Sequence, residues 1–227
     1  MKCRDHGAIG GLESCNNMAR MIPPKPINPN TPSGEKTVFK RFRDDDACEN
    51  WFIFHSYHLE EHKRKRESEA DFIIFVPNKG IAVVEIKSHK KIKYSEGLWL
   101  FGQPEKEGQD PFLQAQEGMY AVKKTIEKHP SAPENIYKTP FVYLCIFPNT
   151  KFKFSTSEYE SWRLCDADDL NRSGLSKFIL EGLNKQITHD QGRTTGSKFD
   201  RRTLEISTSL LRPKMMSEIE THQERNE

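Results

Sequence analysis

The sequence lacks long hydrophobic runs, closely spaced cysteines and a signal-peptide core. No stretch approaches the roughly 20 consecutive apolar residues that a membrane-spanning helix needs. The five cysteines are odd in number and form no short-spaced pair, which argues against a disulfide framework and against a zinc knuckle. The N-terminus has no apolar stretch typical of a secretory signal. We therefore expect a cytoplasmic protein that does not associate with membranes.

The chain also has little net charge, and its basic residues are concentrated in two places. A formal net charge of +2 over 227 residues is too small to indicate nucleic-acid binding by itself. One cluster is Lys63-Arg64-Lys65-Arg66, and the second includes Lys90, Lys91 and Lys93. Solvated loops and phosphate-contacting loops both have this composition. No glycine-rich phosphate loop and no Gly-x-Ser-x-Gly motif occurs.

Apolar residues are concentrated between about Val38 and Phe154, and this concentration defines the predicted domain. Residues 1–20 have no periodicity and predict a disordered extension or a mis-assigned start, whereas residues 21–188 predict one domain. The polar residues 189–227 predict a disordered tail or a linker. The elements follow the order helix, strands, helix, strand, helix, which predicts an α/β sandwich around a mixed sheet.

Two predicted helices flank the strands. In the first helix Glu35, Val38, Phe39 and Phe42 recur at steps of three and four residues and share one face. Glu35 is therefore directed toward the core side, which is unusual for a carboxylate. The second helix spans residues 110–128, with an aspartate as cap and a proline in its first turn.

Residues 71–87 predict a β-hairpin whose charged residues lie at its open end. Strand residues alternate between faces, so the loop decides whether Asp71 and Glu85 share a side. A two-residue loop pairs Asp71 with Ile86 and separates the carboxylates. A three-residue loop of residues 78–80 sets Asp71 opposite Lys87, on the same face as Glu85. We predict the three-residue loop, with Gly80 in the left-handed conformation.

This arrangement predicts a metal site for phosphodiester hydrolysis. Two carboxylates and an amine at the end of an apolar sheet are costly to desolvate unless a cation compensates. Asp71, Glu85 and the carbonyl of Ile86 offer oxygen ligands of the kind that Mg²⁺ or Mn²⁺ prefers. Lys87 would orient or deprotonate the attacking water, and Glu35 would be a third carboxylate that ligates the metal or holds a water. The alternative is a surface hairpin with an ordinary Glu-x-Lys ion pair.

Other polar residues carry weaker signals. His55, His58 and His62 have the spacing of metal ligands, but strand geometry puts His55 and His58 on opposite faces, which disfavours a zinc site. Three aspartates at positions 166, 168 and 169 precede a predicted helix and are typical of helix-start charges.

Several short segments together resemble the nuclease-related domain (NERD) family of the PD-(D/E)XK nuclease superfamily. They are Gly34-Glu35, Glu69-Ala70-Asp71, Gly80-Ile81, Val84-Glu85-Ile86-Lys87 and Asp110-Pro111-Phe112-Leu113-Gln114. The resemblance covers about residues 21–183. It implies a restriction-endonuclease-like α-β-β-β-α-β sandwich with a central mixed sheet, and Mg²⁺- or Mn²⁺-dependent cleavage of DNA. It also implies that Glu35, Asp71, Glu85 and Lys87 carry catalysis and that Gln114 supports it. The start of the second helix decides whether Gln114 or Gln116 points inward.

The resemblance leaves two further functions open. One is a non-catalytic DNA-binding module, and the other is an interaction domain tethered to a helicase-type partner. In the nuclease interpretation the basic residues Lys63, Arg64, Lys65, Arg66, Lys90, Lys91 and Lys93 contact DNA phosphates without reading sequence. Formation of a homo-oligomer stays open.

Overall fold

The computed structural model describes residues 18–26, 28–59, 68–153 and 158–224, with the backbone alone at 57–59, 68–69 and 213–224. The helices and strands along these residues are β1 (Arg20–Ile22), α1 (Ser33–Arg43), β2 (Phe52–Leu59), β3 (Ser68–Val76), β4 (Gly80–Ile86), β5 (Ile92–Ser95), β6 (Leu98–Phe101), β7 (Lys106–Gly108), α2 (Pro111–Glu127), β8 (Phe141–Ile146), β9 (Leu164–Cys165), α3 (Ala167–Ser173), α4 (Leu175–His189) and α5 (Arg201–Glu224). No helix in these ranges is long and apolar enough to cross a membrane.

A mixed sheet with helices on both faces forms the main body. Its strand order is β1-β2-β3-β4-β8-β9, with β2, β3 and β4 antiparallel and the outer pairs parallel. Phe42 of α1 and Ile179 of α4 are buried against one face. Val122 of α2 and Leu204 of α5 are buried against the other. The predicted restriction-endonuclease-like sandwich with the core order α-β-β-β-α-β is thereby confirmed.

A second, three-stranded sheet of β5, β6 and β7 is inserted between β4 and α2. Its Trp99 packs against the rings of Phe101, Phe112 and Phe147. These contacts fix the small sheet beside the start of α2 and beside the end of β8, because Phe112 belongs to the first turn of that helix and Phe147 directly follows that strand. Phe101 of β6 also lies under Lys87, the residue after β4, with Nζ 5.9 Å from the ring centroid. The small sheet therefore forms one wall beside the charged end of the hairpin.

The register of the β3–β4 hairpin differs from the predicted one by two residues. Val76 pairs with Gly80 and Phe72 pairs with Val84, so the loop comprises residues 77–79. Continued by one position, this register places Asp71 opposite Glu85 rather than opposite Lys87. The two carboxylates share a face, as expected, since cross-strand partners point to the same side. Gly80 has the predicted positive φ, at 145°, but it is paired rather than bulged.

Contacts with distant parts of the chain set this register. A Cβ atom at Gly80 would lie 2.4 Å from the carbonyl oxygen of Pro140, so only glycine fits there. The N–H of Ile81 donates to that same carbonyl, and the N–H of Asn78 donates to the carbonyl of Phe199. Pro140 and Phe199 are distant along the chain, so the sequence of the hairpin alone does not predict these contacts.

The expectation that residues 189–227 form a disordered tail or a linker is wrong for their described part. Phe199 is fully buried and stacks on Phe75 of β3, with ring centroids 6.2 Å apart. Leu204 and Leu211 of α5 are also buried on this face of the sheet. Apolar residues are sparse along this segment, so its composition did not predict the helix that completes the core.

Candidate active site

The open end of the hairpin brings together the charged residues predicted from the sequence. Asp71 Oδ2 accepts a hydrogen bond of 2.6 Å from the backbone N–H of Ile86, which ties the two strands at this end. Glu85 is only 7% exposed, and its Oε1 accepts a hydrogen bond of 2.6 Å from Lys87 Nζ. A buried carboxylate is costly without a partner, so Lys87 offsets part of the desolvation of Glu85.

The first turn of α2 adds an amide to this group. Asp110 caps the helix by accepting hydrogen bonds from the backbone N–H groups of Phe112 and Leu113, at 2.8 and 3.3 Å. Gln114, in the same turn, accepts a 2.6 Å hydrogen bond from Lys87 Nζ through its Oε1. Gln114, and not Gln116, is therefore the glutamine that reaches the charged residues. Lys87 bridges β4 and α2 by donating to both Glu85 and Gln114.

A tyrosine holds the cap of α2 in place. The hydroxyl of Tyr159 donates to Asp110 Oδ2 at 2.6 Å. Burial, followed by this hydrogen bond, raises the pKa of Tyr159, which keeps the hydroxyl protonated as a donor. No pattern in the sequence predicts that residue 159 lies near the second helix. Its role follows from the fold of the segment after β8.

Glu35 approaches the same end of the sheet from the other face. A Cβ atom at Gly34 would lie 2.3 Å from Ser88 Oγ, so α1 begins in direct contact with the residue that follows Lys87. Glu35 Oε2 lies 3.5 Å from Nε2 of His55, and the two side chains are 12% and 1% exposed. The hydroxyl of Ser56 lies 3.2 Å from the same nitrogen.

His55 is the residue of this site that the sequence did not identify. Its ring packs against Phe39 and Phe72, with centroids 5.4 and 4.8 Å away. Its Nδ1 is buried and makes no hydrogen bond within the described residues. The sequence suggested His55 only as a zinc ligand with His58 and His62, whose side chains lie outside the described part of the chain. The overlooked signal is a histidine that directly follows an apolar run of buried residues, 51–54.

The buried thiols beside the site are poor nucleophiles. Cys145 on β8 pairs in register with Glu85, and burial followed by that carboxylate raises the pKa of its thiol. Burial likewise raises the pKa of Cys48, and it raises the pKa of Cys165 to about 12. These three cysteines are free. We therefore assign none of these three cysteines a role as nucleophile.

The donor atoms at the hairpin end suit a hard divalent cation held by few protein ligands. Asp71 and Glu85 face each other across the strands, and Mg²⁺ typically binds through one or two carboxylates while it keeps several waters. Within the described ranges, no three His, Cys, Asp or Glu side chains are grouped closely enough to hold a metal ion. The role of Glu35 as a third carboxylate that ligates the metal or holds a water stays a prediction. Ile86, whose carbonyl was predicted as a further oxygen ligand, donates its backbone N–H to Asp71 Oδ2.

The basic residues predicted to contact DNA are only partly described. Lys63, Arg64, Lys65 and Arg66 lie outside the described residues. Lys90, Lys91 and Lys93 are all exposed in or just before β5. Lys91 Nζ lies 2.8 Å from Glu105 Oε1, and this hydrogen bond lowers the pKa of Glu105. Lys91 is thus already paired with a carboxylate.

Fold and site together define a restriction-endonuclease-like α/β protein with a carboxylate–lysine group at the end of a hairpin. A family model described as the nuclease-related domain (NERD) matches residues 32–148, slightly more than half of the chain. The chain belongs to this family, and the match includes Glu35, Asp71, Glu85, Lys87 and Gln114. No curated protein and no solved structure matches the chain significantly.

Proposed function

We propose that this protein is a metal-dependent nuclease that hydrolyses phosphodiester bonds of DNA. The observation that carries the proposal is the position of Lys87 Nζ, 2.6 Å from both Glu85 Oε1 and Gln114 Oε1, on the hairpin where Asp71 faces Glu85. Carboxylates that hold a divalent cation and an amine that orients the attacking water are groups suited to phosphodiester hydrolysis. Membership of the nuclease-related domain family supports the same reaction class.

Each residue has a distinct role in the proposed reaction. Asp71 and Glu85 would hold Mg²⁺ or Mn²⁺, which supplies positive charge that polarises the scissile phosphate. Lys87 Nζ orients the attacking water, and Gln114 Oε1 fixes the direction of that amine. The water oxygen forms a bond to phosphorus as its proton is released to solvent, and the opposite P–O bond breaks, so that the products are a phosphate monoester and an alkoxide that takes up a proton from solvent to give a free hydroxyl. Glu35, held beside His55, orients a second water at the same end of the sheet.

The exposed lysines beside the site supply affinity for the phosphate backbone in this proposal. Lys90 and Lys93 carry charge that is available to DNA, and residues 63–66 would add to it. Lys91 contributes less, because its ammonium group already pairs with Glu105. Contacts of this type give salt-dependent binding without sequence preference.

A specific observation favours the second candidate, a DNA-binding or interaction module without turnover that is tethered to a helicase-type partner. Lys87 and Glu85 form a closed ion pair, so Glu85 is satisfied without a metal. A module of this kind would retain the fold and the ion pair and would bind DNA without cutting it.

DNA cleavage assays separate the two candidates. Purified protein is incubated with plasmid, linear duplex and single-stranded DNA in Mg²⁺, Mn²⁺ or EDTA. We expect cleavage with a divalent metal and none in EDTA. Glu85→Ala and Lys87→Ala should abolish it, whereas Glu117→Ala and Lys128→Ala, at exposed positions of α2 and its end, should not. Cleavage that persists in Glu85→Ala or Lys87→Ala protein would refute the site, and no cleavage with any metal would favour the binding module.

A further inference from the structure

A cleft of about 430 Å³ opens directly beside the proposed catalytic lysine. Lys87 and Gln114 form its inner end, and the strands and turns of the small β5–β7 sheet form its outer wall. That wall contributes His89, Phe101, Gln103, Lys106 and Gln109. The Nε2 of Gln114 donates to Oε1 of Gln109 at 2.8 Å, so a hydrogen bond links the cleft to the site.

The side chains in the cleft combine three kinds of contact that suit a nucleotide. Gln103 and Gln109 are exposed there, and each amide offers two donors and an acceptor, the groups that recognise base edges. The ring of His89 is exposed and provides aromatic surface on which a base can stack, and the buried ring of Phe101 supports it from behind, with centroids 5.1 Å apart. Lys106 is exposed at the rim and matches a flanking phosphate.

The size and shape of the cleft restrict what can enter it. Its volume is in the range of pockets that hold one small ligand. A base that stays paired and stacked in a duplex cannot reach into such a cleft, whereas an unpaired base can. The amides would then contact an edge that base pairing otherwise occupies.

Resting on the proposed nuclease function, we infer that this cleft holds one unpaired nucleotide next to the scissile phosphate. The substrate class is therefore single-stranded DNA, including the unpaired ends of a duplex. The base lies against His89, the amides of Gln103 and Gln109 contact its edge, and Lys106 contacts the adjacent phosphate. Occupation of the cleft places the next phosphate beside Lys87.

Binding measured without metal tests this inference separately from catalysis. Fluorescence anisotropy in EDTA compares a labelled single-stranded oligonucleotide with its duplex. We expect the wild-type protein to prefer the single strand about tenfold, the effect of losing one stacked base. The double variant Gln103→Ala/Gln109→Ala should weaken single-strand binding about fivefold or more and leave duplex binding unchanged. Gln116→Ala, a glutamine of α2 outside the cleft, is the matched control.

The inference would be overturned by equal affinity for both DNA forms, or by a double variant that binds single strands as the wild type does. Equal loss of single-strand and duplex affinity would also overturn it, because it would indicate a general phosphate contact. A single-strand preference in a protein that cuts no DNA would support the cleft and refute the nuclease. Cleavage of DNA without a single-strand preference would support the nuclease and refute the role of the cleft.

Discussion

Nε2 of His55 lies 3.5 Å from Oε2 of Glu35, and the histidine is almost completely buried between Phe39 and Phe72. The pair connects α1 to β2 across the core. It gives Glu35 a fixed neighbour at the end of the sheet where Lys87 and Ser88 also lie. His55 is thus a positioning residue for Glu35 in the proposed nuclease.

Replacement of His55 by phenylalanine should separate positioning from packing. His55→Phe keeps an aromatic ring among Phe39 and Phe72, so we expect the free energy of unfolding to change by less than about 1.5 kcal/mol. DNA cleavage should fall about 10- to 100-fold, the usual effect of removing a group that orients a functional side chain. His55→Gln, which keeps a polar donor near Glu35, should recover part of the kcat. A loss of cleavage only in proportion to lost folded protein would assign His55 a purely structural role.

Removal of the Lys87 amine should destabilise the protein as well as stop cleavage. Lys87→Met removes the cation that pairs with the buried carboxylate of Glu85, which should cost about 3 kcal/mol in urea unfolding. The double variant Glu85→Gln/Lys87→Met should recover most of that loss, since neither member of the pair then carries a charge. Lys91→Met is the control, because its pair with Glu105 is largely exposed and should contribute less than about 1 kcal/mol. Equal costs for the two lysines would contradict the inferred burial of the Glu85–Lys87 pair.

A methyl group at Gly34 should disturb the contact between α1 and the end of β4. The added Cβ would meet Ser88 Oγ at 2.3 Å and Pro148 Cγ at 2.8 Å. We expect Gly34→Ala to lower the free energy of unfolding by about 1–3 kcal/mol, although alanine favours helices. Cleavage should fall with it, since Glu35 is the next residue. Lys40→Ala, at an exposed position of α1, should change neither quantity, and an unaffected Gly34→Ala protein would show that the helix can shift freely.

The pKa of His89 should report the charge of Lys87. Burial, and then the neighbouring ammonium group of Lys87, lower the pKa of His89 below its ordinary value of 6.5. NMR titration should find a low pKa in the wild type and a higher one in Lys87→Met, still below the ordinary value because burial remains. The folded state binds this proton less readily than the unfolded chain, so its contribution to stability falls as the pH drops through about 6.5. A pKa that does not move in Lys87→Met would place the two charges farther apart.

The C-terminal helix should be necessary for stability. Leu211 is fully buried, whereas its neighbour Leu210 is only partly buried. Leu211→Ala should lower the free energy of unfolding by about 2–5 kcal/mol, and Leu210→Ala should cost clearly less. Chemical denaturation of both variants measures the difference. Equal small effects would mean that α5 does not pack against the sheet in solution.

The sequence by itself determined the features that depend on local periodicity. Steps of three and four residues placed Val38 and Phe42 on the inner face of α1, and both are buried. The predicted three-residue loop put Asp71 and Glu85 on one side of the hairpin, and the cap at Asp110 gave the start of α2. These patterns are readable because each face of a helix or strand repeats within a few residues.

Only the tertiary structure decided the relations between segments that are distant along the chain. Pro140 and Phe199 set the hairpin register, which the loop sequence alone placed two residues away. The packing of α1 on β2 brought His55 to Glu35, and the start of α2 brought Gln114 to Lys87. Such pairings depend on which surfaces meet when the core forms. Local sequence does not predict these pairings. A given side chain is compatible with many local backbone conformations, but the close-packed core accepts it in only a few three-dimensional arrangements.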